Sequence, residues 1–155
     1  MAGTVGTGLF AQVGFIVKDV ETTKRKWAEF LGVDVPETQP AGDYAVTQTT
    51  FEGRPAPEAS CLMAFFDVGP GLQLELIQPN EAPSTWRNFL NEHGEGMHHI
   101  AFQMRDSAAQ VKNAEAAGLK LVQRGVYGDG GGEYNYLDAP DLKCIVELLE
   151  SYSRE

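Results

Sequence analysis

At 155 residues, with a formal net charge of −10 and a pI near 4.7, the chain has the size of one domain, residues 1–155, and a charge that nucleic acid backbones and anionic membrane surfaces repel. No apolar run approaches the ~20 residues of a membrane helix, and no basic segment followed by a signal-like apolar stretch opens the chain, so a soluble cytoplasmic protein is expected. Cys61 and Cys144 lie in apolar strand-like runs without CxxC spacing, which points to buried free thiols rather than a disulfide or a metal pair.

Residues 1 to 7 are small and Gly-rich and read as a lead. Leu9 to Val17 then reads as a strand, followed by a helix that starts at Asp19 or Glu21. Trp27, Phe30 and Leu31 fall on one face of that helix, and Gly32 suits its C-terminus. Val33 to Asp43 is connection. The β-branched run Ala45 to Phe51 is expected as a strand, residues 52 to 57 break it, and Cys61 to Val68 and Leu72 to Ile77 are strands joined by a Gly-Pro-Gly turn. The first unit, about residues 8–79, is therefore β-α-β-β-β. A linker over 80–95 carries a short helix from Ser84.

Met97 to Met104 opens a second unit, about residues 96–151, with the same order. A helix over about Ser107 to Ala117 stops at Gly118; strands follow at Leu119 to Arg124, Tyr134 to Leu137 and Leu142 to Leu149. Gly128 to Gly132 reads as a flexible hairpin or lid. The two units register without a gap at their first strands: Gln12 stands where His99 stands, Gly14 where Ala101 does, Phe15 where Phe102 does and Asp19 where Asp106 does. Gly32 lies 20 residues after Gln12 and Gly118 lies 19 after His99, so the chain is a duplication. The first copy carries about 15 extra residues, placed most simply around 52 to 60. The expected fold is α+β, two βαβββ modules related by a pseudo-twofold axis and forming a curved, cleft-bearing mixed sheet.

Glu75 inside Leu-Glu-Leu and Glu147 inside Val-Glu-Leu occupy the last strand of their respective units. A carboxylate buried among aliphatic side chains is costly unless a cation or hydrogen bonds compensate, so two glutamates at matching places call for a common partner. Together with Gln12 and His99 they make a nitrogen and oxygen donor set suited to a divalent metal ion, with positions open to water or substrate. Strand alternation sends His98 to the face opposite His99 and marks it as structural; His93 reads as a surface residue. Tyr134 and Tyr136 share a strand face and are candidates for lining a pocket, while Arg54 and Arg124 are candidates for receiving an anionic substrate tail.

The stretch Gly96-Met97-His98-His99-Ile100-Ala101-Phe102 and the paired Leu-Glu-Leu and Val-Glu-Leu strands resemble the vicinal oxygen chelate superfamily, methylmalonyl-CoA epimerase and glyoxalase I above all, over about residues 8 to 151. The resemblance implies a divalent metal ion (Zn, Ni, Co, Mn or Fe) held by Gln12, Glu75, His99 and Glu147, a small-molecule substrate bound through neighbouring oxygens, and a homodimer. It also implies an isomerase, epimerase or lyase in which a carboxylate beside the metal takes the proton next to a metal-polarised carbonyl; with no other base apparent in the sequence, the proton transfers are assigned to Glu147 and, on the opposite side, Glu75. Epimerases of that family carry histidine at the position of Gln12 and glutamine at that of Glu75, and a separate glutamate base that the run Leu62 to Phe66 lacks. The present set matches some glyoxalase I enzymes instead. Two alternatives share the fold: a metal-free antibiotic or small-molecule binding protein, and an extradiol-type dioxygenase, against which Gln12 in place of a first histidine counts.

Overall fold

A computed structural model describes residues 3–6 and 8–152. The lead expected over residues 1 to 7 includes Met1, Ala2 and Thr7, which lie outside the described residues. The first half contains β1 (Leu9–Ile16), α1 (Val20–Leu31), β2 (Gln39–Pro40), α2 (Tyr44–Thr47), β3 (Thr50–Phe51), β4 (Arg54–Pro55), β5 (Cys61–Gly69) and β6 (Leu72–Pro79). A linking helix, α3 (Thr85–His93), leads to β7 (Gly96–Gln103), α4 (Ser107–Ala116), β8 (Lys120–Val126), β9 (Gly132–Ala139) and β10 (Cys144–Ser151).

Local chemistry sets the helix ends. Asp19 accepts from the Thr22 amide at 3.1 Å, Ser84 from the Arg87 amide at 2.9 Å and Asp106 from the Ala109 amide at 3.3 Å, each satisfying a first-turn N–H that has no partner within its helix. Gly32, at φ 68°, ends α1 in the left-handed conformation that glycine adopts without steric cost.

The strands form one mixed sheet in the order β2-β5-β6-β1-β7-β10-β9-β8-β3-β4. At its centre β1 and β7 run antiparallel across the pseudo-twofold axis, with Gln12 opposite Ala101 and His99 opposite Gly14. Each is flanked by the last strand of its own module in parallel, which places Glu75 beside Gly14 and Glu147 beside Ala101. On the convex side α1 covers Val17, Phe66, Leu74 and Leu76, and α4 covers Met104, Leu137, Val146 and Leu148. Strand alternation turns the intervening residues inward, where α3 packs Trp86 against Ile16, Ile77, Cys61 and Tyr136. Cys61 is buried and Cys144 half-buried, and both are free thiols. Phe30 departs from the face expected for it: it is 80% exposed, touching Trp27 edge-on at 5.9 Å.

Residues 45 to 51 do not form the continuous strand their β-branched composition suggests. They make the single turn of α2 and then the two-residue β3, which pairs with β8 of the other module. The second strand of the first module is the two-residue β2, inside the segment expected as connection. The extra length of the first copy is therefore a strap over 41–60 rather than a loop over 52–60. It leaves one edge of the sheet at Ala41, whose amide donates to the Cys61 carbonyl at 3.0 Å, and joins the opposite edge at Glu52, whose amide donates to the Val122 carbonyl at 2.8 Å. The sheet curls enough for Gly42 to meet the β8–β9 turn at Gly128; a Cβ on Gly42 would lie 2.6 Å from the Gly128 Cα. The final strand begins at Cys144, because Pro140–Leu142 forms a 3-10 turn.

Candidate metal centre

The duplicated strands bring Gln12, Glu75, His99 and Glu147 together within a single chain, at 5%, 6%, 0% and 3% exposure. His99 Nε2 lies 2.9 Å from Glu147 Oε2, 3.4 Å from Glu75 Oε2 and 2.9 Å from Gln12 Oε1. The same Gln12 oxygen lies 3.0 Å from Glu75 Oε2 and 3.1 Å from Glu147 Oε2, and the Gln12 amide nitrogen donates to Gln73 Oε1 at 3.3 Å.

These separations fit a divalent ion. An ion with ligands at about 2.1 Å in octahedral geometry spaces neighbouring ligand atoms about 3 Å apart, and one imidazole, two carboxylates and an amide oxygen are donors such ions accept. With Oε1 inward, three oxygens converge on one point, which only a cation reconciles; with the Gln12 amide turned over, its nitrogen donates to both carboxylates instead.

Room for the cluster comes from the small residues facing it. A Cβ on Gly14 would lie 2.0 Å from His99 Cε1, so alanine cannot stand opposite the imidazole, although Ala101 stands opposite the slimmer Gln12.

Electrostatics follow from burial. Burial opposes charge on His99, but the Glu147 carboxylate and hydrogen bonds to Glu147 and Glu75 outweigh it and hold its pKa up at about 10. Burial raises the Glu75 carboxyl, with Glu147 adding to the rise and His99 opposing it. The metal-free cluster is thus an imidazolium between two carboxyl groups.

Tyr136 lines this centre: its ring lies 5.1 Å from that of His99, and its hydroxyl accepts from Trp86 Nε1 at 3.0 Å. Tyr134 follows one step out, 5.2 Å from Tyr136, its hydroxyl accepting from Gln123 Nε2 at 3.1 Å. Burial pushes both phenols up. The two arginines are not brought to the cluster. Arg124 is turned to the convex side, where it pairs with Glu133 at 3.1 Å, and Arg54 sits on the short β3–β4 hairpin beside a groove bounded by Phe51, Pro57 and Pro83.

His98 also departs from expectation. Gly14 pairs with His99 but Phe15 pairs with Met97, so His98 is the extra residue of a β-bulge and turns inward instead of away from His99. It is 3% exposed, and burial, with His99 adding, holds its pKa well below the usual histidine value, so the ring is neutral. His93 lies on the surface, its side chain 62% exposed. Trp86 and Tyr127, the latter's phenol raised by burial and by both glutamates, were legible only as generic aromatic residues, because long-range pairing brings them in.

Comparison with known proteins agrees with this architecture. A profile of the Glyoxalase/Bleomycin resistance protein/Dioxygenase superfamily matches residues 11–136. An ethylmalonyl-CoA/methylmalonyl-CoA epimerase of Cereibacter sphaeroides is 26% identical over 145 residues, 91% of this chain and 96% of that protein. YqjC, an uncharacterised Bacillus subtilis protein, is 37% identical over 90 residues, 57% of this chain; the match spans 64% of YqjC, less than two thirds of its length. The crystal structure of methylmalonyl-CoA epimerase from Mycobacterium tuberculosis shares the fold, with a TM-score of 0.67 at 21% identity over 99% of this chain and 93% of that one. The chain belongs to the glyoxalase/bleomycin resistance protein/dioxygenase superfamily.

Proposed function

We propose that the chain is a divalent-metal-dependent isomerase, epimerase or lyase that removes the proton next to a carbonyl group of a small oxygenated substrate. The observation that carries this reading is the convergence of Gln12, Glu75, His99 and Glu147 on one buried point, two of them carboxylates whose ion-pair partner among the described residues is His99. The similarity to an epimerase named for acyl-CoA substrates supports chemistry at an acidic carbon.

Gln12, Glu75, His99 and Glu147 would hold the ion. A divalent ion there supplies Lewis-acid polarisation of the substrate carbonyl. Glu147 accepts the proton at a carboxylate oxygen, and Glu75, on the opposite side of the centre, delivers a different proton, its own, to the other face of the carbon. That leaves Glu147 protonated and Glu75 as the carboxylate until both re-equilibrate with solvent. Burial favours the neutral form of Glu75, the form that can donate a proton. Tyr134, Tyr136 and Trp86 form an aromatic wall that excludes water from the reacting carbon.

The test pairs metal analysis of protein purified without chelator with solvent-deuterium exchange at the acidic carbon of 2-hydroxyketones, thiohemiacetals and acyl-CoA thioesters. Glu147→Gln should leave folding intact and abolish exchange; unchanged exchange removes Glu147 from the role. A protein that takes up no ion yet binds an apolar ligand would be a small-molecule binder instead.

A further inference from the structure

We propose that His98 is a positioning residue that fixes the tautomer and ring plane of His99, by accepting a hydrogen bond from His99 Nδ1 on its own unprotonated Nδ1. The inference rests on the metal reading above for the identity of what His99 Nε2 faces, but the hydrogen bond itself is independent of any ion.

The two Nδ1 atoms lie 2.9 Å apart, so one ring donates and the other accepts. His99 Nε2 points at Glu75, Glu147 and Gln12. If Nε2 gives its lone pair to an ion, the ring's proton must sit on Nδ1, so His99 is the donor across the 2.9 Å contact and His98 keeps its proton on Nε2. That Nε2–H faces the Thr85 backbone and, among the described residues, makes no well-formed hydrogen bond, a cost accepted at a buried site. The ring of His98 is held edge-on by Phe89 at 5.2 Å and by Tyr136 at 5.2 Å, so its acceptor is aimed before any ligand arrives.

The duplication supplies an internal comparison. In β1 Phe10 pairs with Phe102 and Gln12 with Ala101, which leaves Ala11 as the extra residue of an equivalent bulge. Both modules therefore bulge immediately before the residue that heads the site. The bulge carries a histidine only in front of the imidazole, the one head group with tautomers to choose between.

Long-range proton–nitrogen spectra of 15N-histidine-labelled protein, with and without Zn2+, should show His98 protonated on Nε2 alone and His99 protonated on Nδ1 in both states. His98→Phe keeps a ring against Phe89 and Tyr136 but removes the acceptor, and should weaken Zn2+ or Co2+ binding, measured against a competing chromophoric chelator, by about 10- to 100-fold. His98→Asn places an amide oxygen near the vacated Nδ1 and should recover binding to within a few-fold of the parent. A proton on His98 Nδ1, a folded His98→Phe protein that binds as the parent does, or an asparagine variant no better than the phenylalanine variant would each overturn the assignment. If the parent takes up no divalent ion, the metal reading fails by itself, and the spectra of the metal-free protein alone decide the role of His98.

Discussion

Metal uptake should expel a proton from His99, and the apparent affinity should climb with pH far beyond the point where an ordinary histidine has finished titrating. In the metal-free protein burial works against the charged ring, yet Glu147 and Glu75 hold the His99 pKa at about 10. An ion requires the Nε2 lone pair, so at pH 7 a bound proton must leave first. Three pH units at roughly 1.4 kcal/mol each amount to about 4 kcal/mol, or an affinity about a thousand-fold weaker than that of the deprotonated site. The logarithm of Kd should therefore fall by about one per pH unit from 7 to 9, whereas an unperturbed histidine would level off near pH 6.5. Titration calorimetry at pH 8 in buffers of different ionisation enthalpy should register about one proton released per ion. The same raised pKa stabilises the metal-free fold fully below about pH 6.5 and ceases to do so as pH rises through about 10, so its Tm should decline over that window. Proton release near zero at pH 8, or a plateau in affinity above pH 7, would refute the imidazolium between two carboxyl groups.

Gly14→Ala should drive a methyl group into the His99 ring, 2.0 Å from Cε1, abolishing measurable ion uptake and costing about 1–3 kcal/mol in denaturant titrations; uptake equal to the parent's contradicts the inward placement of His99. Gly42→Ala, at φ 104° and 2.6 Å from the Gly128 backbone, should loosen the strap, read as faster hydrogen exchange at the Ala41 and Glu52 amides with the central strands unchanged. Trp86→Phe leaves the buried Tyr136 hydroxyl without its donor and should lower unfolding free energy by about 1–3 kcal/mol.

The residues that meet at the centre were legible because a carboxylate inside an aliphatic strand is conspicuous and because duplication repeats it: Glu75 with Glu147, Gln12 with His99. Helix starts at Asp19 and Ser84 were equally plain, their side chains capping amides three residues on. What escaped depends on partners distant in the chain. Residues 45 to 51 have strand-like composition, but their ladder lies on β8, some seventy residues away, and only Thr50 and Phe51 reach it. His98 obeys the alternation rule until a bulge opposite Phe15 resets it, and the bulge arises from pairing between β1 and β7 rather than from the residues of either strand. Arg54 and Arg124 failed to reach the centre for the same reason: one rides on an added hairpin and the other answers a glutamate on the far face.

The strap that leaves one border of the sheet and stitches itself to the other makes the two halves unequal heirs of one ancestor. Its added residues belong by sequence to the first repeat but complete the outer rim of the second. A pair of chains exchanging halves would have to unpick β3 from β8 and re-lace it, so the polypeptide that supplies Gln12 and Glu75 is tethered to the one that supplies His99 and Glu147.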